Sequence, residues 1–345
     1  MTIIYFILIL GVTVLVHEAG HFIFAKIFKV HVYEFSIGMG KKLFSFNRKN
    51  DETIYSIRIF PIGGYVKLAG EEVNDDEDIP KENKLACKKP WQRFLIFVFG
   101  AVNNFIFAFL LLILMGLIFG STTTKPIMGN IKEDYPSYKA GLRNDDVITS
   151  INGNKIKTYE DVKLIFALDP GATFNLTAVD VNGKEKKIVI VPEIITQDDS
   201  TLYKYGISKD DTKKYGLINS LKYSVEESYS IFRSMFKILG GLFTGNVSVS
   251  NLSGPVGIYT AVDVSSQSGL YGILYLVVLI GINVGVLNLL PIPAFDGGRI
   301  FFLLIEKIKG SPINTKVENV IHSVFFILLM GLMIYITIFD VLRLF

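Results

Sequence analysis

The sequence predicts an α-helical polytopic membrane protein with a β-rich loop and a small α+β domain inserted between its spans. Three observations predict it. Half of the 345 residues are hydrophobic, 27 of them Phe, and the mean hydropathy is +0.43, more apolar than an ordinary soluble chain. Charged residues still reach 19%, so part of the chain sits in water. The apolar residues gather into four segments, 3–28, 91–120, 270–290 and 321–345, each with the roughly 20 residues needed to cross a bilayer.

Each element follows from local signals. The first segment has no basic residue ahead of it and no small-residue cleavage site after it, which predicts an uncleaved signal anchor. Lys and Arg crowd the loop 29–90 and recur at Arg299, Lys307, Lys309 and Lys316, while both termini carry almost none. The positive-inside rule then places both loops in the cytoplasm, both termini outside and the long connection between spans two and three outside. The acidic run "EEVNDDEDIP" counts little, because the rule concerns Lys and Arg. The predicted divisions are 1–28, first span; 29–90, cytoplasmic loop; 91–120, second span; 121–195, outer domain; 196–269, outer connection; 270–298, third span with the loop after it; 299–320, cytoplasmic loop; and 321–345, fourth span.

The loop is more than a linker. "SIGMGKKLFSFNRKNDETIYSIRIFPIGGYVKLAG" reads as short strands, with Asn50-Asp51 at a turn and Ile57 and Ile59 alternating with Ser56 and Arg58. "PIGGYVKL" is apolar enough to dip into the membrane interface. A surface hairpin is the alternative, since re-entrant backbone needs protein or water to cover it. In the outer insert, "DVITSING" reads as a strand beside the "AGL" opening of a short helix. "TYEDVKLIFAL" reads as a helix, and "ATFNLTAVDVNGKEKKIVIVP" as a hairpin turning at Asn182-Gly183. Leu217, Leu221, Val225, Tyr229, Phe232, Phe236 and Leu239 recur in steps of four or three, the mark of an amphipathic helix. It lies on the outer membrane surface or packs on the neighbouring domain.

A net charge of +3 without a basic cluster argues against nucleic acid. The single cysteine, Cys87, permits no internal disulfide and no four-cysteine zinc site, and reads as a free loop thiol. The chemistry concentrates instead in "LVHEAGHFIF". His17 and His21 stand at i and i+4 of a helix, with both imidazoles on one face. Glu18 sits between them, placed to take a proton from an attacking water. This is the H-E-x-x-H pattern of a zinc hydrolase. Three ionisable residues in an apolar span require a partner or a water-filled cavity, and a buried polar network between helices is the bland alternative. A catalytic zinc needs a third protein ligand. Asp296 is the candidate, because Pro291, Pro293, Gly297 and Gly298 break the helix and let the backbone turn. Its alternative is a helix N-cap. His31 and His322 read as interfacial.

"HEAGH", "NLLPIPAFDGG" and "PIGGYVKLAGEE" together resemble the site-2 protease family of membrane-embedded zinc metalloproteases. The likeness is to its bacterial, RseP-like branch with an extracytoplasmic PDZ domain. "LSGPVGI" before the third span resembles that branch too, and the 121–195 module resembles its PDZ domain, here single. The resemblance implies one Zn²⁺ per chain held by His17, His21 and Asp296, with Glu18 as catalytic base. It implies Asn283 and Asn288 as groups that hold the substrate backbone, for which helix–helix glue is the alternative. Gly63, Gly64 and Tyr65 would belong to a re-entrant hairpin that meets substrate by strand addition. Two departures stand out. "FGAVNNF" lacks the family's proline ahead of Asn104, and "LRNDD" replaces the usual L-x-x-G-D. The implied reaction is hydrolysis of peptide bonds within transmembrane segments of membrane proteins, such as pre-cleaved anti-sigma factors or remnant signal peptides. The implied setting is the bacterial cytoplasmic membrane, with the active site towards the cytoplasm and the lipid bilayer as constant partner. A membrane metal transporter and a non-catalytic PDZ scaffold are the alternatives.

Overall fold

Among the described residues, four helices are long and apolar enough to cross a membrane, as expected. In the computed structural model they are α1 (Thr2–Ile27), α2 (Pro90–Phe119), α7 (Gly269–Leu289) and α9 (Thr315–Leu342). The structure describes every residue except 50, 72–77, 198–199, 312 and 343–345, and the backbone alone at 61–62, 197, 200–201 and 315. Asn50 of the expected turn, most of the acidic run and the end of the fourth span therefore lie outside the described residues. The chain divides into two units, Met1–Leu111 with Leu252–Phe345, and Leu112–Asn251.

The first unit carries the β-rich loop. It forms two long strands, β1 (Val32–Asn47) and β2 (Ile54–Leu68), rather than the several short ones expected. Each bends on itself. Phe35 pairs with both Val66 and Tyr55, and Ser36 with both Tyr65 and Ser56, while Phe44 to Asn47 pair with Ile57 to Ile54. The start of β1 and the start of β2 are thus the inner segments, and Gly64–Leu68 is an edge. Gly38, Gly40 and Gly63, at φ 86°, 87° and 90°, supply the positive φ at which side chains are disfavoured. A core of Ala25, Val30, Val32, Leu68, Leu85, Ile96, Phe97 and Leu303 ties this sheet to α1 and α2.

Two helices in this unit were absent from the sequence reading. α6 (Pro255–Gln267) packs with α1 and α7 around Phe6, Ile9, Val262, Leu276 and Ile280. α8 (Asp296–Lys309) occupies the start of the expected 299–320 loop. "DGGRIFFLLIEKIK" is amphipathic, and its apolar half reads as the tail of a span. α9 begins six residues before the apolar run, because the polar turn from Thr315 to Val320 is already helical.

The second unit is a small α+β body. α3 (Pro136–Lys139) precedes Ala140-Gly141-Leu142, so those residues follow the short helix instead of opening it. β3 (Val147–Ile151), β4 (Asn154–Lys155), β5 (Phe174–Val179) and β6 (Glu185–Ile190) form one sheet in the order β4-β3-β5-β6. α4 (Tyr159–Leu168) starts with a capping box between Thr158 and Asp161, which satisfies two otherwise orphan N–H groups. Phe174, Leu176, Ile148, Ile151, Leu142 and Met128 are buried at its centre. The expected hairpin turns at Asn182-Gly183, with Gly183 at φ 78° and Asp180 accepting from the Asn182 and Lys184 amides. A further hairpin, β7 (Glu193–Gln197) with β8 (Ser200–Lys204), follows. α5 (Leu217–Thr244) is the expected amphipathic helix. Its buried face is made of Ser220, Tyr223, Ser224, Glu227, Ser230, Ile231 and Met235, while Leu217, Leu221, Val225, Tyr229 and Phe236 are exposed. The apolar stripe is therefore not the face that packs within this unit.

Candidate metal centre

The site is built where α1 and α2 cross closely. A Cβ on Gly20 would lie 2.1 Å from the Phe99 carbonyl oxygen, and one on Gly100 would lie 2.3 Å from His21 Nε2 and 2.9 Å from His17 Cε1. Glycine at both positions lets the helices meet and leaves room for both imidazoles. Asn103 of α2 donates to the Val16 carbonyl at 2.5 Å, fixing the turn before His17.

Asp296 arrives from the other side. After α7, Phe295 donates its N–H to the Ile292 carbonyl at 3.1 Å. Gly297 and Gly298 pack so tightly that a Cβ would lie 2.1 Å from the Leu290 oxygen and 2.6 Å from the Ile292 oxygen. The double glycine thus allows α8 to start against the loop backbone. Asp296 is the first helical residue and Phe295 is the N-cap, without a side-chain cap, so the N-cap alternative does not hold for Asp296.

Three donor atoms converge. His17 Nε2 lies 3.0 Å and His21 Nε2 3.2 Å from Asp296 Oδ2, and the two Nε2 atoms are 3.2 Å apart. A tetrahedral zinc with bonds near 2.0–2.1 Å places its ligands about 3.4 Å apart, close to this triangle. His21 Nδ1 lies 2.8 Å from the Ile96 carbonyl. With the proton assigned there, Nε2 presents a lone pair. Asp296 Oδ2 is buried without a hydrogen-bond partner, as is His17 Nδ1. A closed polar network would not leave Oδ2 orphaned, whereas lone pairs converging on one point are satisfied by a divalent cation; His17 Nδ1, the other nitrogen of its ring, does not face that point. The residues fit zinc.

A cavity of about 230 Å³ opens off these atoms, and Glu18, Tyr65, Glu71, Arg299 and His322 share its wall. A Cβ on Gly64 would lie 3.3 Å from Glu18 Cγ, so the edge strand runs beside the glutamate. Tyr65 is held from behind. Arg58 donates to the Tyr65 hydroxyl and to both carboxylate oxygens of Glu34, at 2.9 and 3.0 Å for the latter. Burial would raise the Glu34 carboxyl, but hydrogen bonds from Ser56, Arg58, Tyr65 and Lys42 outweigh it and bring it down to about 2.

Of the residues singled out from sequence, His17, Glu18, His21, Asp296 and Tyr65 meet at one cavity, with Gly64 against it. Gly63 packs on the Met39 side chain instead. Asn283 and Asn288 are half-buried on α7 and do not line this cavity. His31 pairs with Glu52 at 3.0 Å. His322 reaches the cavity wall, which its place in an apolar span did not foretell. Gly100, Ile96, Glu71 and Arg299 were missed too. The "DGGR" run was the one available signal for Arg299.

The profile of Peptidase family M50 matches residues 5–332. Among curated relatives, the zinc metalloprotease RasP of Bacillus licheniformis is 31% identical over 421 residues, covering 100% of this chain and 99% of its own. The protein of the same name in Oceanobacillus iheyensis is 32% identical over 426 residues, with the same coverage. The regulator of sigma-W protease RasP of Bacillus subtilis is 30% identical over 422 residues, again covering 100% and 99%.

Proposed function

Since the chain belongs to peptidase family M50 and is an integral-membrane zinc metalloprotease of the site-2 type with Zn²⁺ as cofactor, we propose that it hydrolyses peptide bonds within transmembrane segments of membrane proteins. His17, His21 and Asp296 hold the metal and Glu18 is the catalytic base. The observation that carries this reading is the triangle of donor atoms in one cavity with Glu18 and the Gly64–Leu68 edge.

When bound, Zn²⁺ would acidify water and polarise a carbonyl. Glu18 takes the proton of the attacking water and hands it to the leaving amine. The Ile96 carbonyl keeps the His21 ring in its ligating tautomer. A transmembrane helix hides its carbonyls in its own hydrogen bonds, so substrate must unwind. The edge strand Gly64–Leu68 offers the unwound segment a strand to join. Asn283 and Asn288 assist from α7 by pairing with substrate amides.

The orientation follows from the Lys and Arg bias: the metal end faces the cytoplasm, and both termini and the 121–195 domain lie outside, in a bacterial cytoplasmic membrane. The order of β3, α4, β5 and β6 supports a PDZ-like reading of that domain. The exposed apolar stripe of α5 supports a helix lying on the outer membrane surface. The name of the B. subtilis relative supports regulatory membrane proteins as substrates.

The test is Glu18→Gln in the full chain. Zinc content should stay at one per chain while cleavage of a model transmembrane substrate falls at least a hundredfold. Cleavage at the parent rate would sink the assignment.

A further inference from the structure

The cavity at the metal centre has a neighbour of about 80 Å³, enclosed by Arg93, Glu306, Glu318 and Asn319 among others. The two cavities share Glu71, Phe97, Arg299 and His322 as a common wall. Arg299 stands three residues after Asp296, in the first turn of α8. Its guanidinium lies 5.5 Å from the centre of the Phe97 ring and donates through Nη1 to Glu71 Oε1. The other oxygen of the same carboxylate accepts from the Leu68 amide at 3.4 Å. Leu68 is the last residue of β2.

One carboxylate therefore links two parts of the site that are far apart in the chain. On one side is the end of the edge strand beside Glu18. On the other is the helical turn that presents Asp296. A plain anchoring role for Arg299 would be redundant, because α8 is already tied to α2 by Arg93 and Glu306 at 2.7 Å, a pair that is mostly buried. What Arg299 adds is the connection to β2.

We propose that Arg299 and Glu71 form a brace that holds the substrate-accepting strand in register with the candidate ligand Asp296. This rests on the reading of Gly64–Leu68 as that strand. Arg299 is thus a positioning residue that acts through Glu71. A carbonyl carried by the strand reaches the metal only if strand and ligand keep their spacing, and small misplacements cost rate steeply. Arg suits the role because its planar fork fixes direction as well as charge, while Lys would supply charge alone.

The test uses the detergent-solubilised full chain loaded with Zn²⁺, with metal content and the kinetics of a model transmembrane substrate measured for each variant. Arg299→Gln should keep one zinc per chain and lose about ten- to a hundredfold in kcat, with KM changed less than about threefold. Arg299→Lys should fall between it and the parent. Glu71→Gln should lose a similar factor, and the double variant should be no worse than Arg299→Gln, since both remove one interaction. The proposal is overturned by activity within twofold of the parent, by zinc lost in step with activity, by a rise in KM at unchanged kcat, or by losses that multiply in the double variant. Glu18→Gln, measured alongside, keeps the two readings apart. If it cleaves like the parent, the protease assignment itself fails, whatever Arg299 does.

Discussion

Gly100 shows how little space the metal centre leaves. Its missing side chain is the gap that both imidazoles occupy, and a methyl there would stand 2.3 Å from His21 Nε2. The three nearest atoms all belong to the two imidazoles, so the rings must move. Gly100→Ala should therefore drop zinc content well below one per chain and cut activity more than tenfold. Gly281→Ala is the control, because a Cβ there meets nothing within 4 Å. It should keep zinc and gain up to about 1 kcal/mol from the helical preference of Ala. Glu34 makes a second residue-scale prediction. Its carboxyl sits at about 2 in the fold against an ordinary 4.5. Its contribution is therefore full above pH 4.5 and is lost as pH falls towards 2. Melting of the purified protein should drop between pH 5 and pH 3, and Glu34→Gln should flatten that dependence; an unchanged slope would show that other groups govern it.

Elements meet through a few polar contacts of the same economy. Asp340, near the end of α9, is buried, and its Oδ2 accepts from the Gly254 and Gly257 amides at 2.8 Å each. It is a cap for α6 supplied from another helix, placed where the helix dipole favours a negative charge. It also accounts for the glycines of "LSGPVGI". A Cβ at Gly254 would lie 2.8 Å from Oδ2, and one at Gly257 3.1 Å from Oδ1. Asp340→Ala should destabilise the helical unit by about 2–3 kcal/mol, as expected for losing hydrogen bonds to a buried charge, and read out as a lower melting temperature. That pairing also marks the limit of what sequence could tell. The four spans were legible because apolar length is a local property, and α4 because the apolar residues of "TYEDVKLIFAL" fall on one helical face. Two of the three donor atoms fall within one helical turn, and the third was legible from the prolines and glycines around it. α6 and α8 were not, because short amphipathic stretches beside a span read as its ends. Nor were Asp340, Arg299, Glu71 and Gly100. Each matters through a partner in a distant element, and one sequence holds no record of which distant residues touch.

At the scale of the whole molecule, the remaining question is which side of the bilayer each part faces. The Lys and Arg bias sets the expectation, and the chain contains its own probe. Cys87 is the only cysteine and is exposed, just before α2. Val181 is 73% exposed in the second unit, beyond α2. If α2 crosses once, these two positions lie on opposite sides. In sealed right-side-out vesicles, a membrane-impermeant maleimide should leave Cys87 unmodified until detergent is added. In a Cys87→Ser background, Val181→Cys should react at once. Inverted vesicles should exchange the two results. The pattern matters beyond orientation, because the metal centre stands on the Cys87 side of the spans under this reading. Cytoplasmic water then reaches the cavity, and Val181 stands on the opposite, outer side. Labelling of Cys87 from outside would reverse that arrangement and overturn the assignment of the active site to the cytoplasmic side, while leaving the donor triangle and its chemistry intact.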